Sequence, residues 1–290
     1  MATIDHAWGN TRALPRRRRR PGLAAVYLVL TLWAVTTVYP FVWVVLNSFR
    51  PKDEILRDSF SIPAHPTMAN YHTAFQKMSI GWAYVNSFVI SGTVMLAVLV
   101  LGGLAAYGLA RYRFRGRGTL RALVYASLMF PAFSTIIPVY GIIRGMNLVN
   151  NSLGVILPQI AGNLSFAVVI LIANIQSLPV DMEESAYLEG CRIYGVFFRI
   201  VVPLLRPAFA TVAIFAFLWS YNDLFTQLFF LRYKETYTIT RLLNEISSQY
   251  GTDYGLMAAS VTLVVVPVLA VYVFLQNNII KGLTAGAIKG

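Results

Sequence analysis

Polar residues in this chain collect at the edges of long apolar runs instead of alternating with them. Gly22 to Phe49, Met78 to Ala110, Ala122 to Ile143, Gly145 to Val180 and Tyr254 to Ile280 carry no charge, and Pro207 to Leu231 carries only Asp223. Hydrocarbon cannot satisfy backbone amides and carbonyls, so a segment that enters it must be a helix of about 20 apolar residues. Every run is long enough. The pattern therefore predicts an all-α integral membrane protein with six transmembrane helices, at about 24–48, 82–110, 120–143, 153–176, 207–231 and 256–280. It divides the chain into a basic tail 1–21, a membrane domain 22–282 with a large loop at 178–206, and a short C-terminal tail 283–290.

Composition supports that reading. The 290 residues are 57% hydrophobic and 12% charged, with a mean hydropathy of +0.61; a soluble domain needs roughly 25% charged residues to cover its surface. Several chemistries drop out. Cys191 is alone and cannot form an internal disulfide, and His6, His65 and His72 make no HExxH pair, so no metal site is expected. A phosphate-binding P-loop needs Lys followed by Ser or Thr. Here Lys52, Lys77, Lys234, Lys281 and Lys289 precede Asp, Met, Glu, Gly and Gly. The chain is no enzyme of that kind, and no cofactor is expected.

The net charge of +12 is unevenly placed. With six crossings, two-thirds of the Lys and Arg fall on the side that holds Arg16 to Arg20, Arg111 to Arg121, Arg192 to Arg206 and the two ends. Positive residues accumulate in the cytoplasm, which puts both termini there. Because these basic runs abut the spans, anionic lipid explains them better than nucleic acid does. On the other side, Arg50 to Lys77, with Pro51, Pro63 and Pro66, reads as an extended surface segment with a short helix near 71–77.

The loop between the fourth and fifth spans, LPVDMEESAYLEGCRIYGVFFRIVVPLLRP, has helical periodicity where a linker would be short and polar. Pro179 suits a helix start, and Asp181, Glu183 and Glu184 sit where the positive end of a helix dipole favours them. Met182, Ala186 and Glu189 share one helical face, Ser185 and Ala186 are small enough to admit another surface, and Gly190 can take a positive φ and end the turn. A second amphipathic stretch, Ile193 to Val202, gathers Val196, Phe197, Ile200 and Val201 on one side until Pro203 stops it. Interfacial helices usually have a basic polar face. Four acids ahead of the first arginine suit an element gripped from the cytoplasm.

These residues resemble the EAA loop of ATP-binding-cassette importer permeases: Glu184-Ser185-Ala186, Glu189-Gly190-Cys191, then Phe198, Ile200 and Pro203. The resemblance extends along the chain to the carbohydrate branch of that family, the maltose-permease (MalG-like) type. It is carried by Ile62-Pro63 to Asn70-Tyr71, Asn86-Ser87, Phe130-Pro131, Ile137 to Tyr140, Gly154 to Pro158 and the ending Gly282 to Gly290. Where the family tends to show Trp-Asn-Asp or Trp-Asn-Glu with a downstream proline, this chain has Tyr221-Asn222-Asp223 and Gln227. The resemblance implies one permease half in a bacterial inner membrane, paired with a second permease, driven by two ATPase subunits and fed by an extracytoplasmic sugar-binding protein. It implies ATPase coupling through Glu184, Ser185, Ala186, Glu189, Gly190, Cys191 and Pro203, with Glu184 as polar anchor.

Within the membrane, Asn86, Tyr221, Asn222 and Asp223 are the candidates for a translocation path, the asparagines equally able to bridge helices. Gly102, Gly103 and Gly108 are expected to allow close helix packing, and Pro131 and Pro138 to kink their helix. An ion- or proton-coupled secondary transporter is the alternative, but it needs ionisable groups along its path. One aspartate in six spans supplies few.

Overall fold

The computed structural model describes residues 21–77, 79–249 and 253–287, and among them only helices and their connections. Most of the basic tail and residues 288–290 lie outside the described residues. The chain forms two compact units, divided after Trp43. The first is the bulk of helix α1 (Pro21–Ser48), whose apolar side chains are exposed along its length.

The second unit opens with a structured segment ahead of α4 (Ile80–Arg111). α2 (Lys52–Arg57) and α3 (Ala69–Lys77) are folded around Arg50, which is fully buried. Its guanidinium donates to the carbonyl of Asp58 at 2.7 Å, to Ser61 Oγ at 2.8 Å and to Asn47 Oδ1 at 3.3 Å, and Glu54 lies 3.4 Å away. The Asn70 amide donates to the carbonyls of Ser48 and Arg50. The helix expected near 71–77 is present; α2 is an addition.

α4 (Ile80–Arg111) is the central element. Ile80, Ala83, Ser87, Ile90, Val94, Val98, Gly102 and Ala106 recur at spacings of three and four and form its buried stripe. Lipid tails are as apolar as leucine, so association here rests on close packing. Gly102 supplies it: a Cβ on that residue would stand 3.0 Å from the Ala167 Cβ of α7 (Ser152–Gln176). At Gly103 a Cβ would stand 3.0 Å from the Phe209 ring and 3.1 Å from Phe197. Gly108 differs from expectation, with nothing within 4 Å. The C-terminal carbonyls of α4 are closed by arginines of the basic run. Arg117 donates to Leu109 and Ala110, and Arg121 to Leu109, so part of that run caps a helix.

Among the described residues, three helices are long and apolar enough to cross a membrane: Leu23–Ser48, Ile80–Arg111 and Ser152–Gln176. A fourth crossing exists if Ile193–Leu204 and Arg206–Asn222, bent by 85°, count together. The expected third and fifth spans are not continuous. Residues 120–143 divide into α5 (Arg117–Ser127) and α6 (Ala132–Gly145), because Pro131 has no N–H to continue the ladder and takes an extended backbone at φ −64°, ψ 130°. Pro131 thus breaks the span outright, while Pro138 sits inside α6.

After α7 come α8 (Asp181–Leu188) and α9 (Ile193–Val196), then a π-helical stretch Phe197–Val201 and α10 (Val202–Leu204). The bend follows at Leu205, before α11 (Arg206–Asn222). The expected stop at Pro203 falls two residues later, at Leu205. Lacking an N–H, Pro203 unsettles the α ladder upstream, where the Val202 amide bonds the Phe197 carbonyl, five residues back. The expected fifth span divides at Asp223 into α11 and α12 (Leu224–Phe230). An amphipathic helix, α13 (Ile239–Gln249), buries Ile239, Leu242 and Ile246, and α14 (Tyr254–Ala287) closes the described chain.

Candidate functional site

α8 holds Asp181, Glu183 and Glu184 in its first turn, where unpaired amides favour anions. The acids then point apart. Glu183 is buried, and its Oε1 accepts from Arg111 Nε at 2.7 Å while its Oε2 accepts from the Tyr107 hydroxyl at 2.9 Å. Arg111 also donates to the Leu178 carbonyl at 3.0 Å. The Tyr107 and Tyr187 oxygens are 3.1 Å apart, and those of Tyr112 and Tyr187 are 2.8 Å apart. Tyr107 spends its single proton on Glu183, so the protons run in order from Tyr112 to Tyr187 to Tyr107. Partial burial and the bond to Tyr187 push the Tyr112 phenol up to about 12.

Glu184, Ser185 and Glu189 are exposed, with Ser185 Oγ returning its proton to the Asp181 carbonyl at 2.8 Å. Ala186 faces inward beside Glu183, whereas Met182 is 49% exposed. The inner face is therefore Glu183 with Ala186, while Met182 and Glu189, at helical spacing from Ala186, are exposed.

Gly190 takes φ +85°. Its amide bonds the Tyr187 carbonyl at 3.0 Å and the Cys191 amide bonds that of Ala186 at 2.9 Å, the paired bonds of a Schellman ending. Beyond it Val196, Phe197 and Val201 are buried, Arg199 is exposed, and Cys191 and Pro203 are half-buried. An open hollow of about 490 Å³ lies beside the turn and the helical segment that follows it, lined by Glu189, Gly190, Arg192, Tyr194 and Arg199 among others.

The intramembrane candidates do not converge on one cavity. The Asn86 amide donates to the carbonyls of Glu235 and Tyr237, both at 3.0 Å, tying α4 to the segment before α13. Tyr221 is buried between Phe88 and Phe217. Asn222 is exposed and donates to Leu218 of its own helix. Asp223 caps α12, its Oδ1 accepting from the Thr226 amide at 3.0 Å and its Oδ2 from Gln159 at 2.8 Å. Gln159 Oε1 in turn accepts from Ser220 at 2.5 Å. Gln227 donates to the Ser220 carbonyl and accepts from Thr238, while Ser87 accepts the Ile239 amide at 2.8 Å. Among the described residues no group of three His, Cys, Asp or Glu could hold a metal.

Residues 98–285 match the family of binding-protein-dependent transport system inner membrane components, a region that contains both polar clusters. The chain belongs to that family. A member is a transport component of the membrane, not an enzyme. Relatives include the diacetylchitobiose uptake system permease protein NgcG of Streptomyces coelicolor, 33% identical over 92% of this chain and 89% of that one. The galactooligosaccharides transport system permease protein GanQ of Bacillus subtilis is 34% identical over 94% and 98%. A similar fold occurs in a bacterial transporter that imports the acidic polysaccharide alginate, with TM-score 0.79 and 19% identity over 91% of this chain and 99% of that one.

Sequence reasoning missed Arg111, Tyr107, Tyr112, Tyr187 and Gln159. Two signals were available: Arg111 opens its basic run directly at the end of a span, and Gln159 is an amide directly after Pro158, two turns into an apolar helix. Neither names its partner.

Proposed function

We propose that this chain is one of two permease halves of an ATP-binding-cassette importer, taking up a sugar or oligosaccharide handed over by an extracytoplasmic binding protein. The observation that carries this reading is the two-sidedness of α8: one face is fastened to α4 through Glu183, and the other presents Glu184, Ser185 and Glu189, exposed among the described residues. A short helix so held transmits the displacement of an ATPase dimer, where a loose loop absorbs it. Gly190, Cys191 and Pro203 shape the turn and second limb beside that face, and Ala186 seats it. The sugar class follows the names of the relatives, which transport diacetylchitobiose and galactooligosaccharides.

Six crossings complete the reading, with α5 and α6 together as the third, α11 and α12 as the fifth, α14 as the sixth, and both termini in the cytoplasm. Asn222, exposed on α11, belongs to the translocation path, with Asn86, Tyr221 and Asp223 behind it as wall. The secondary-transporter alternative draws no support from Asp223, whose two carboxylate oxygens are occupied by Thr226 and Gln159.

Cys191, the single cysteine, tests orientation directly. A membrane-impermeant maleimide should label it in inside-out vesicles and leave it untouched in intact cells; labelling of intact cells sinks the topology. Reconstituted with its partner permease, ATPases and binding protein, the chain should support sugar uptake that needs ATP and survives collapse of ion gradients. Uptake that needs the gradient and ignores ATP discards the importer reading.

A further inference from the structure

α8 is joined to its neighbours in the chain only by short links, Ser177 to Val180 on one side and Glu189 to Arg192 on the other. Backbone links of that kind pull but do not push. The side chains add something stronger. Both oxygens of the Glu183 carboxylate are held by residues of α4, Arg111 through Nε and Tyr107 through its hydroxyl. The same guanidinium reaches the Leu178 carbonyl where α7 hands over to α8. Tyr112, just past α4, closes the hydroxyl chain through Tyr187 of α8, and the Tyr107 ring rests against Phe197 at 5.4 Å. Glu183 and Arg111 have side chains only 5% and 12% exposed, so water screens the pair weakly.

We propose that the Glu183–Arg111 pair, with its tyrosine chain, is the joint through which α4 is moved by α8. Glu183 and Arg111 are positioning residues in this account: they touch no substrate, and they make the last turn of α4 follow the docked helix. The inference rests on the coupling reading above and extends it by naming where the stroke enters the membrane domain. Two adjacent acids then have opposite duties, Glu184 facing outward to the motor and Glu183 facing inward to the pore helix.

The test uses the complete transporter in proteoliposomes, reading sugar uptake and ATP hydrolysis together. Glu183→Gln keeps the shape and removes the charge. It should lower uptake roughly tenfold, within the ordinary range for coupling between sites, while the ATPases still co-purify and hydrolysis stays within about twofold. ATP spent per sugar therefore rises. The exchanged pair Glu183→Arg with Arg111→Glu should regain part of the lost uptake, as expected of residues in direct contact. An unchanged ATP-to-sugar ratio in Glu183→Gln overturns the joint, and so does parallel loss of uptake, hydrolysis and ATPase binding, which would make Glu183 a docking residue. If Glu183→Gln does not assemble, Tyr107→Phe removes one hydroxyl only; it should raise the ratio about twofold, and a wild-type ratio there overturns the proposal equally. Wild-type transporter that runs on an ion gradient defeats the coupling reading itself, whereas ATP-driven wild type with unaffected variants defeats the joint alone.

Discussion

The two polar clusters of this permease are built from similar groups and behave as opposites. In the loop between α7 and α11, Glu183 and Arg111 form an ion pair on the inner face of a helix whose outer face is open. In the other cluster Gln159, Ser220, Asp223, Gln227 and Thr238 are mostly neutral, and every hydrogen bond they make closes on the domain itself. One arrangement uses charge to hold the short helix α8 against α4. The other spends amides and hydroxyls to hold still the break between α11 and α12. A charged pair costs desolvation and is worth little when complete, but it fails badly when halved; an amide clasp is cheaper on both counts.

The sharpest way to break the comparison is to halve both clusters. Arg111→Ala leaves Glu183 buried without its cation and strands the Leu178 carbonyl. About 3–5 kcal/mol of lost stability is expected, visible as a marked fall in melting temperature in detergent. Asp223→Ala removes the cap of α12 and orphans the Gln159 amide, at about 2 kcal/mol. A larger loss from Asp223 than from Arg111 would reverse the assignment of which cluster depends on charge. Asp223→Asn sharpens it further: the amide keeps an acceptor for Thr226, and a turned-over Gln159 amide accepts from its NH2 while donating to the Ser220 hydroxyl, so a clasp predicts near-normal uptake, while a proton path predicts none.

How much of this was legible beforehand follows from what periodicity can carry. The span of α4 was readable because Met78 to Ala110 is apolar and uncharged throughout; which face it buries was not, since the helix is apolar almost all round. The inward acid of α8 was not. In an eight-residue helix Glu183 and Glu184 are separated by one position, and the spacing that favours Met182 with Ala186 competes evenly with Glu183 with Ala186. Only the arrival of Arg111 and Tyr107 decides it, and both come from more than 70 residues away. The interruptions at Pro131 and Asp223 sit inside uniformly apolar runs, where hydropathy is blind to backbone direction. α13 is likewise invisible as a partner surface until Ser87 and Gln227 meet its start.

A milder probe separates conformation from bulk at the turn. A Cβ on Gly190 would meet nothing within 4 Å, so its φ of +85° is the only obstacle to substitution. Gly190→Val should cost about 1–2 kcal/mol of strain. Gly190→Asn should cost less, since asparagine enters that region more readily. Equal losses from the two would place the constraint in side-chain size, on an external partner, and not in the backbone.

The smallest effect on folding belongs to Glu184, and its value lies in that contrast. The side chain is exposed and makes no bond that the domain needs, so Glu184→Lys should change stability by no more than about 0.5 kcal/mol. In a complex it reverses the charge on the face offered to the ATPase, so the variant should insert and fold normally yet retain less ATPase on purification and transport more slowly. Arg111→Ala and Glu184→Lys then form a pair with crossed signatures, one unstable, the other stable but poorly docked. If Glu184→Lys binds and drives the motor as wild type does, the open face of α8 is not where the motor sits, whatever Glu183 does behind it.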